Sequence, residues 1–275
     1  MLNFSGDTPA FIKKIAVALH GRSRHGRVFP KDLSDSSSTS AVLFLLGRKF
    51  EWDRFSPEPC LILNRRSIKV KQPGDLCCPG GSIYPRLDSY FAKILCLPLS
   101  PLARWPYWHL WRQNRRQEMK WLALLFATGL RESFEEMRLN PFGVKFLGPL
   151  PSEQLIMFRR TIYPMVCWIS RQKRFYPNRE VESIIYIPIK NLLDSSNYAR
   201  YRLHIETPRE KEKNPDVTDY PCFVHEHQKG SEVLWGATFR ITMIFLEIVF
   251  GFKAPDMESL SPVHGTLHEN YLTGV

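Results

Sequence analysis

Residues 131–139 read Arg-Glu-Ser-Phe-Glu-Glu-Met-Arg-Leu. At helical spacing Glu132, Glu135 and Glu136 stand at i, i+3 and i+4 and project from one face. Leu130, Phe134 and Met137, at i, i+4 and i+7, mark the opposite, apolar face. Oxygen ligands of this kind suit a hard divalent cation such as Mg²⁺ or Mn²⁺. The plain alternative is a solvated acidic face, because charged helix faces are the norm. The flanking sequence decides between the two.

Upstream, residues 89–130 carry Lys93, Arg104, Arg112, Arg115, Arg116 and Lys120 against the single acid Glu118, interleaved with Trp105, Tyr107, Trp108, Trp111 and Trp121. Such a mixture stacks on bases, lies at a membrane surface, or packs as a helical subdomain with its tryptophans in the core. Its second half, from about Arg116, is expected to run as one helix into the acidic segment. Before it, Pro79-Gly80-Gly81 marks a tight turn where backbone comes close to a neighbour or takes positive φ. Arg65, Arg66, Lys69 and Lys71 precede that turn and suit phosphate contacts, or else a solvated basic turn.

Further out, residues 9–20 have helical periodicity, and 34–40 form a Ser-rich connection. Residues 41–46 and 60–64 read as neighbouring strands. After Asn140-Pro141, a helix stop, 144–147, 163–169 and 183–187 read as strands. Residues 189–193 begin a short helix or turn. Residues 208–219 form a charged loop, and 235–250 a final apolar helix capped by Gly251. The chain from Lys253 onward reads as a poorly ordered tail. His225-Glu226-His227 would place two histidines on one face of a strand, with or without a metal.

Net charge is +11, from 38 basic and 27 acidic residues, so the surface should attract anions: nucleic acid, phosphorylated metabolites or acidic membranes. The six cysteines show no zinc-like pairing, and no secretory leader is evident, so reduced thiols and a cytoplasmic location are expected. The longest apolar runs, near 121–130 and 241–250, fall short of the ~20 residues that a membrane-spanning helix needs.

Taken together, the Gly-Gly turn, the carboxylate-rich helix and the strands on both sides resemble the Nudix hydrolase family. Its signature is a glycine, an acidic residue, then Arg-Glu-(apolar)-x-Glu-Glu-x-Gly-(apolar). Gly81 matches the first glycine, and Arg131, Glu132, Glu135, Glu136 and Leu139 match the second half. Residues 61–67, 73–75 and 78–81, and downstream 147–150, 178–181, 187–189 and 235–238, are similar to landmarks of the coenzyme A pyrophosphatase branch. The chain departs from the family pattern in several places. The acidic residue and the Arg-Glu pair are normally seven residues apart, yet residues 89–130 lie between Asp88 and Arg131, and Asp88 falls one place late after Gly81. Arg138 replaces the glycine that ends the helix. Ser67 to Gly74 is one residue short, Lys71 stands for arginine, and Cys78 for phenylalanine.

The resemblance implies an α+β Nudix fold, a mixed sheet between helices, with a helical insertion. It divides the chain into 1–40 (helix and basic segment), 41–252 (Nudix domain, with 89–130 as insertion) and 253–275 (tail). It implies a Mg²⁺- or Mn²⁺-dependent diphosphatase acting on a nucleotide-containing metabolite, with coenzyme A or acyl-CoA first. Alternatives are a nucleotide or RNA-cap pyrophosphohydrolase, and a silent RNA- or membrane-binding module. By resemblance, Glu135 and Glu136 are the principal metal ligands, Glu132 a ligand or general base, and the Gly80 carbonyl completes the shell. Arg131 orients a carboxylate, and Glu180 or Glu182 supplies a further base. Arg65, Arg66, Lys69, Lys71 and Gly81 would bind substrate.

Overall fold

The computed structural model describes residues 7–24, 26–30, 38–51, 54–155, 159–205, 218–227, 230–267 and 271. Most of the expected 34–40 and 208–219 connections lies outside these residues. The order is α1 (Thr8–Arg24), β1 (Thr39–Glu51), β2 (Arg54–Arg66), β3 (Leu76–Cys77), β4 (Gly80–Ser82), α2 (Pro85–Leu95), α3 (Trp108–Asn114), α4 (Arg116–Met137), β5 (Val144–Pro149), β6 (Glu153–Leu155), β7 (Arg160–Ile169), β8 (Val181–Pro188), α5 (Ile189–Leu192), β9 (Tyr198–Ile205), β10 (Thr218–His227), β11 (Gly230–Leu234), α6 (Gly236–Phe250) and β12 (Pro262–Leu267). The chain is α+β.

The central sheet runs β3-β2-β1-β7-β5, with β4 also on β1, β6 on β7 and β8 on β2. The expected neighbours pair antiparallel, Leu45 opposite Ile62, while β1 lies parallel to β7. Strand β1 is buried on both faces, which explains its unbroken apolar run. Ala41, Leu43 and Leu45 pack toward α4 and the tryptophans, whereas Val42, Phe44 and Leu46 pack toward α1, α6 and the second sheet. The mixed sheet therefore lies between helical layers. The second sheet has the order β11-β10-β9-β12.

Residues 89–130 leave along α2, turn through α3 and return along the first two-thirds of α4, which continues unbroken into the acidic segment. Trp105, Trp108 and Trp111 are buried. Of the readings the sequence left open, the packed subdomain is the one these three adopt. Trp105 packs edge-on to Phe146 and donates its indole N–H to the Leu147 carbonyl at 3.0 Å.

Two expectations need correction. Phe134 is half exposed rather than part of the buried stripe; Gly129, Leu130, Ser133 and Met137 fill it instead. The 3.6-residue period carries Phe134 to the edge of that face, where the Arg138 guanidinium lies over its ring at 5.1 Å. The chain beyond Lys253 is also not a loose tail where described: β12 pairs parallel with β9, and the buried Tyr271 hydroxyl donates to Asp75. Its strand shows little apolar signal because β12 alternates between exposed and half-buried positions.

Candidate active site

The site forms where the last turns of α4 face the Gly80-Gly81 strand. β4 pairs with β1, Gly80 opposite Val42 and Gly81 opposite Ala41, and the Leu43 N–H donates to the Pro79 carbonyl at 2.8 Å. Gly80 has φ +152°, and a Cβ there would stand 2.3 Å from the Ala41 carbonyl oxygen, so only glycine fits. A Cβ on Gly81 would stand 2.5 Å from Glu132 Cδ. The absence of a side chain thus lets the Glu132 carboxyl lie against the turn.

Arg131 organises the acidic cluster. Its Nε donates to Asp88 Oδ1 at 2.7 Å and its Nη2 to Asp88 Oδ2 at 3.1 Å, a two-point, charge-assisted pair. Its Nη1 donates to Glu132 Oε1 at 3.0 Å and reaches Glu135 at 3.4 Å, and Nη2 also donates to the Ser82 carbonyl. Asp88 is fully buried, and it further accepts from the Thr128 hydroxyl at 2.9 Å and the Tyr84 N–H at 2.7 Å. Two residues 43 positions apart are thereby joined across the whole excursion. Thr128 and Tyr84 carried no sequence signal for this role. The spacing of Thr128 from Asp88 acquires meaning only once α2 packs on α4, whereas the Tyr84 N–H is a local contact at the start of α2.

Glu136 is the most buried of the three glutamates, and its Oε2 accepts from Asn64 Nδ2 at 2.9 Å and from the Gly80 N–H at 3.3 Å. Burial, then the neighbouring Glu132 charge, pushes its carboxyl up to about 8, while the Arg66 charge pulls the other way. Glu132 is raised as well, chiefly by burial and against the pull of Arg131. Asn64 was visible only as a sequence landmark. Its Oδ1 is buried without a hydrogen-bond partner, beside the carboxylate that its amide contacts.

The other expected residues are placed as follows. Glu135 is half exposed on the Arg131 side. Arg65 pairs with Glu232 at 3.1 Å and Glu182 at 3.6 Å. Arg66 Nε donates to the Lys71 carbonyl at 2.7 Å, and Lys69 and Lys71 are exposed. The Glu180 charge acts on Glu136, whereas Glu182 is tied to Arg65. His225 and His227 do share a face of β10, their ring centroids 5.5 Å apart.

Among the described residues, no group of three or more His, Cys, Asp or Glu side chains is arranged to hold a metal ion by itself. The donor chemistry nevertheless fits a hard cation held by fewer protein groups. Glu132 and Glu136 are both raised in pKa by burial, with Glu132 adding its charge to Glu136, and the Asn64 carbonyl oxygen beside Glu136 lacks a partner. Mg²⁺ commonly takes only one or two carboxylates, with water and substrate phosphate completing its shell.

No protein-family model and no curated protein matches the sequence. Solved structures with a partly similar chain path include RenU, a Nudix hydrolase from M. smegmatis, at 11% identity over 57% of this chain and 73% of that one, TM-score 0.35. A C. elegans Ap4A hydrolase has 10% identity over 57% and 83%, TM-score 0.35. A MutT/nudix family protein from Enterococcus faecalis has 10% identity over 90% and 75%, TM-score 0.37. With overlap and identity this low, these neighbours decide neither the family nor the activity of this chain. Among the described residues, no helix is long and apolar enough to cross a membrane.

Proposed function

We propose that the protein is a Nudix-type diphosphatase whose catalytic residues lie within 41–252, acting in the cytoplasm on a nucleotide-containing metabolite, with coenzyme A or its thioesters as the first candidates. The observation that carries this reading is the Asp88–Arg131–Glu132 chain against Gly81. It reunites the two halves of the motif despite the residues between them. A solvated acidic face needs no buried aspartate to hold its arginine, nor a glycine to admit its glutamate.

In this reading Glu136 and Glu132 hold Mg²⁺ or Mn²⁺, with Glu135 at the outer side and Gly80 at the turn. The bound cation would neutralise diphosphate oxygens and acidify a water. Arg131 fixes the Glu132 carboxylate, and Asn64 fixes that of Glu136. In hydrolysis a water oxygen bonds to one phosphorus, and the bridging oxygen leaves with the other phosphate. The water's proton passes to a carboxylate. Glu180 suits that role better than Glu182, because Arg65 already engages Glu182. The Arg66 charge acts on Glu136, which supports a role for Arg66 in contacting a substrate phosphate, with Arg65, Lys69, Lys71 and Gly81 as further candidates.

Coenzyme A with Mg²⁺ should yield adenosine 3′,5′-bisphosphate and 4′-phosphopantetheine, resolved by chromatography. Turnover of a dinucleotide or capped RNA but not of coenzyme A would move the substrate and keep the chemistry. Full activity in Glu136→Gln would overturn the site itself. The rival, a silent module gripping RNA or a membrane through the basic aromatic insertion, is weakened as far as its tryptophans go, because Trp105, Trp108 and Trp111 are buried.

A further inference from the structure

Helix α2 has two apolar sides. Asp88, Ala92 and Leu95 face inward and are buried. Leu87, Tyr90, Phe91 and Ile94 face outward and exposed, over about 100° of the circumference. The ridge continues past the helix into Leu97 and Leu99, the latter 85% exposed. The turn that presents them is fixed: Leu97 N–H donates to the Ile94 carbonyl at 3.0 Å, and the Ser100 hydroxyl donates to the Leu95 carbonyl at 2.5 Å. Leu99 has φ +69°, an uncommon conformation for a leucine. Six large apolar side chains exposed between residues 87 and 99 are more than scattered surface hydrophobics.

The exposed charge carried by the segment that builds the ridge has one sign. Between residues 84 and 117 the single acid is Asp88, buried and paired with Arg131, while Arg86, Lys93, Arg104, Arg112 and Arg116 are exposed. Arg86 and Lys93 border the ridge along one edge of the helix, and the Arg112 charge acts on Cys96 at its end. We propose that this outward face of α2, with Leu97 and Leu99, docks on an anionic lipid bilayer. An apolar stripe flanked by cations is what an interfacial helix presents, its leucines among acyl chains and its basic groups on headgroups. A second copy of the chain would set like charges against each other. Because Asp88 stands on the other side of the same helix, docking brings the carboxylate site to within about one helix diameter, ~10 Å, of the lipid surface.

Co-sedimentation of the full chain with vesicles tests this. Vesicles of equal parts phosphatidylcholine and phosphatidylserine should bind it, and phosphatidylcholine alone should not. Arg86→Gln and Lys93→Gln should each weaken partitioning about fivefold. Ile94→Ser combined with Leu97→Ser and Leu99→Ser should weaken it about tenfold or more, without lowering the melting temperature or altering hydrolysis of a soluble diphosphate. Equal binding to neutral vesicles, or none to anionic ones, overturns the proposal. So does a dimer in sedimentation velocity that the triple variant abolishes, which would assign the ridge to a second copy.

Discussion

Glu136 carries the most consequential electrostatics of any single residue. Its ordinary value is 4.5, and burial raises it to about 8. A raised carboxyl means that the folded state holds its proton more tightly than the unfolded chain does. Its contribution to stability is therefore complete below about pH 4.5 and is lost as pH rises to about 8. In chelator, the parent protein should lose melting temperature across that window, and Glu136→Gln should flatten the slope. Added Mg²⁺ should stabilise the parent more at about pH 8 than at about pH 6, and should leave the glutamine variant nearly unmoved. Parallel melting curves for both proteins would refute the assignment. Gly81 offers a second residue-scale test. Alanine there meets the flexible end of Glu132, not backbone, so the fold should survive within about 1 kcal/mol. Activity should fall about a hundredfold, because the displaced carboxylate no longer lies against the turn. Steady-state kinetics beside a urea titration separates the two effects.

Among the elements, α4 is the one on which packing and chemistry meet. Its inward stripe, including Leu122, Phe126 and Leu130, is part of the core against β1, and Gly129 lets that strand approach: a Cβ there would stand 2.6 Å from Leu43 Cδ2. Its end is unusual. Arg138 replaces the glycine that the resemblance calls for, yet it still adopts the left-handed cap at φ 55°, ψ 40°. Its N–H donates to the Phe134 carbonyl at 3.0 Å, and the Leu139 N–H to the Ser133 carbonyl at 3.3 Å. Gln172 Nε2 donates to the Arg138 carbonyl at 2.9 Å, and the guanidinium covers Phe134. These contacts hold a residue whose left-handed backbone costs about 1–2 kcal/mol. Arg138→Gly should therefore stabilise the protein by about 1 kcal/mol in equilibrium unfolding, the lost ring contact offsetting part of the gain. Destabilisation would show that the stack outweighs the strain.

At the scale of the whole molecule, the end of the chain returns to the segment before the glycine turn. The Tyr271 hydroxyl and the Trp235 indole N–H, the latter at 3.1 Å, both donate to Asp75, and the Gln72 N–H donates to the Tyr271 carbonyl at 2.7 Å. Burial raises the Asp75 carboxyl, and the two donors lower it in part. Tyr271→Phe leaves that carboxylate with one donor fewer and should cost about 1–2 kcal/mol, read by urea unfolding. An unchanged midpoint would mean that the contact adds nothing to stability.

The sequence by itself determined what depends on neighbours along the chain. Period and turn residues were enough for α1, the β1–β2 pair, the unbroken helix into Glu132–Glu136, and the Gly251 cap of α6. The Arg-Glu-x-x-Glu-Glu spacing singled out the carboxylates because i, i+3 and i+4 share a helix face whatever the rest of the chain does. Only the tertiary structure decided which of these carboxylates is buried, which acid holds Arg131, and that Asn64, Thr128 and Tyr271 take part. It also placed Trp105, Trp108 and Trp111 in the core and set β12 beside β9. The physical reason is range. Hydrogen bonds between residues as far apart as Asp88 and Arg131, or Asp75 and Tyr271, leave no periodic trace in a local window. Burial, which raises Glu136, belongs to the packed assembly rather than to any stretch of chain.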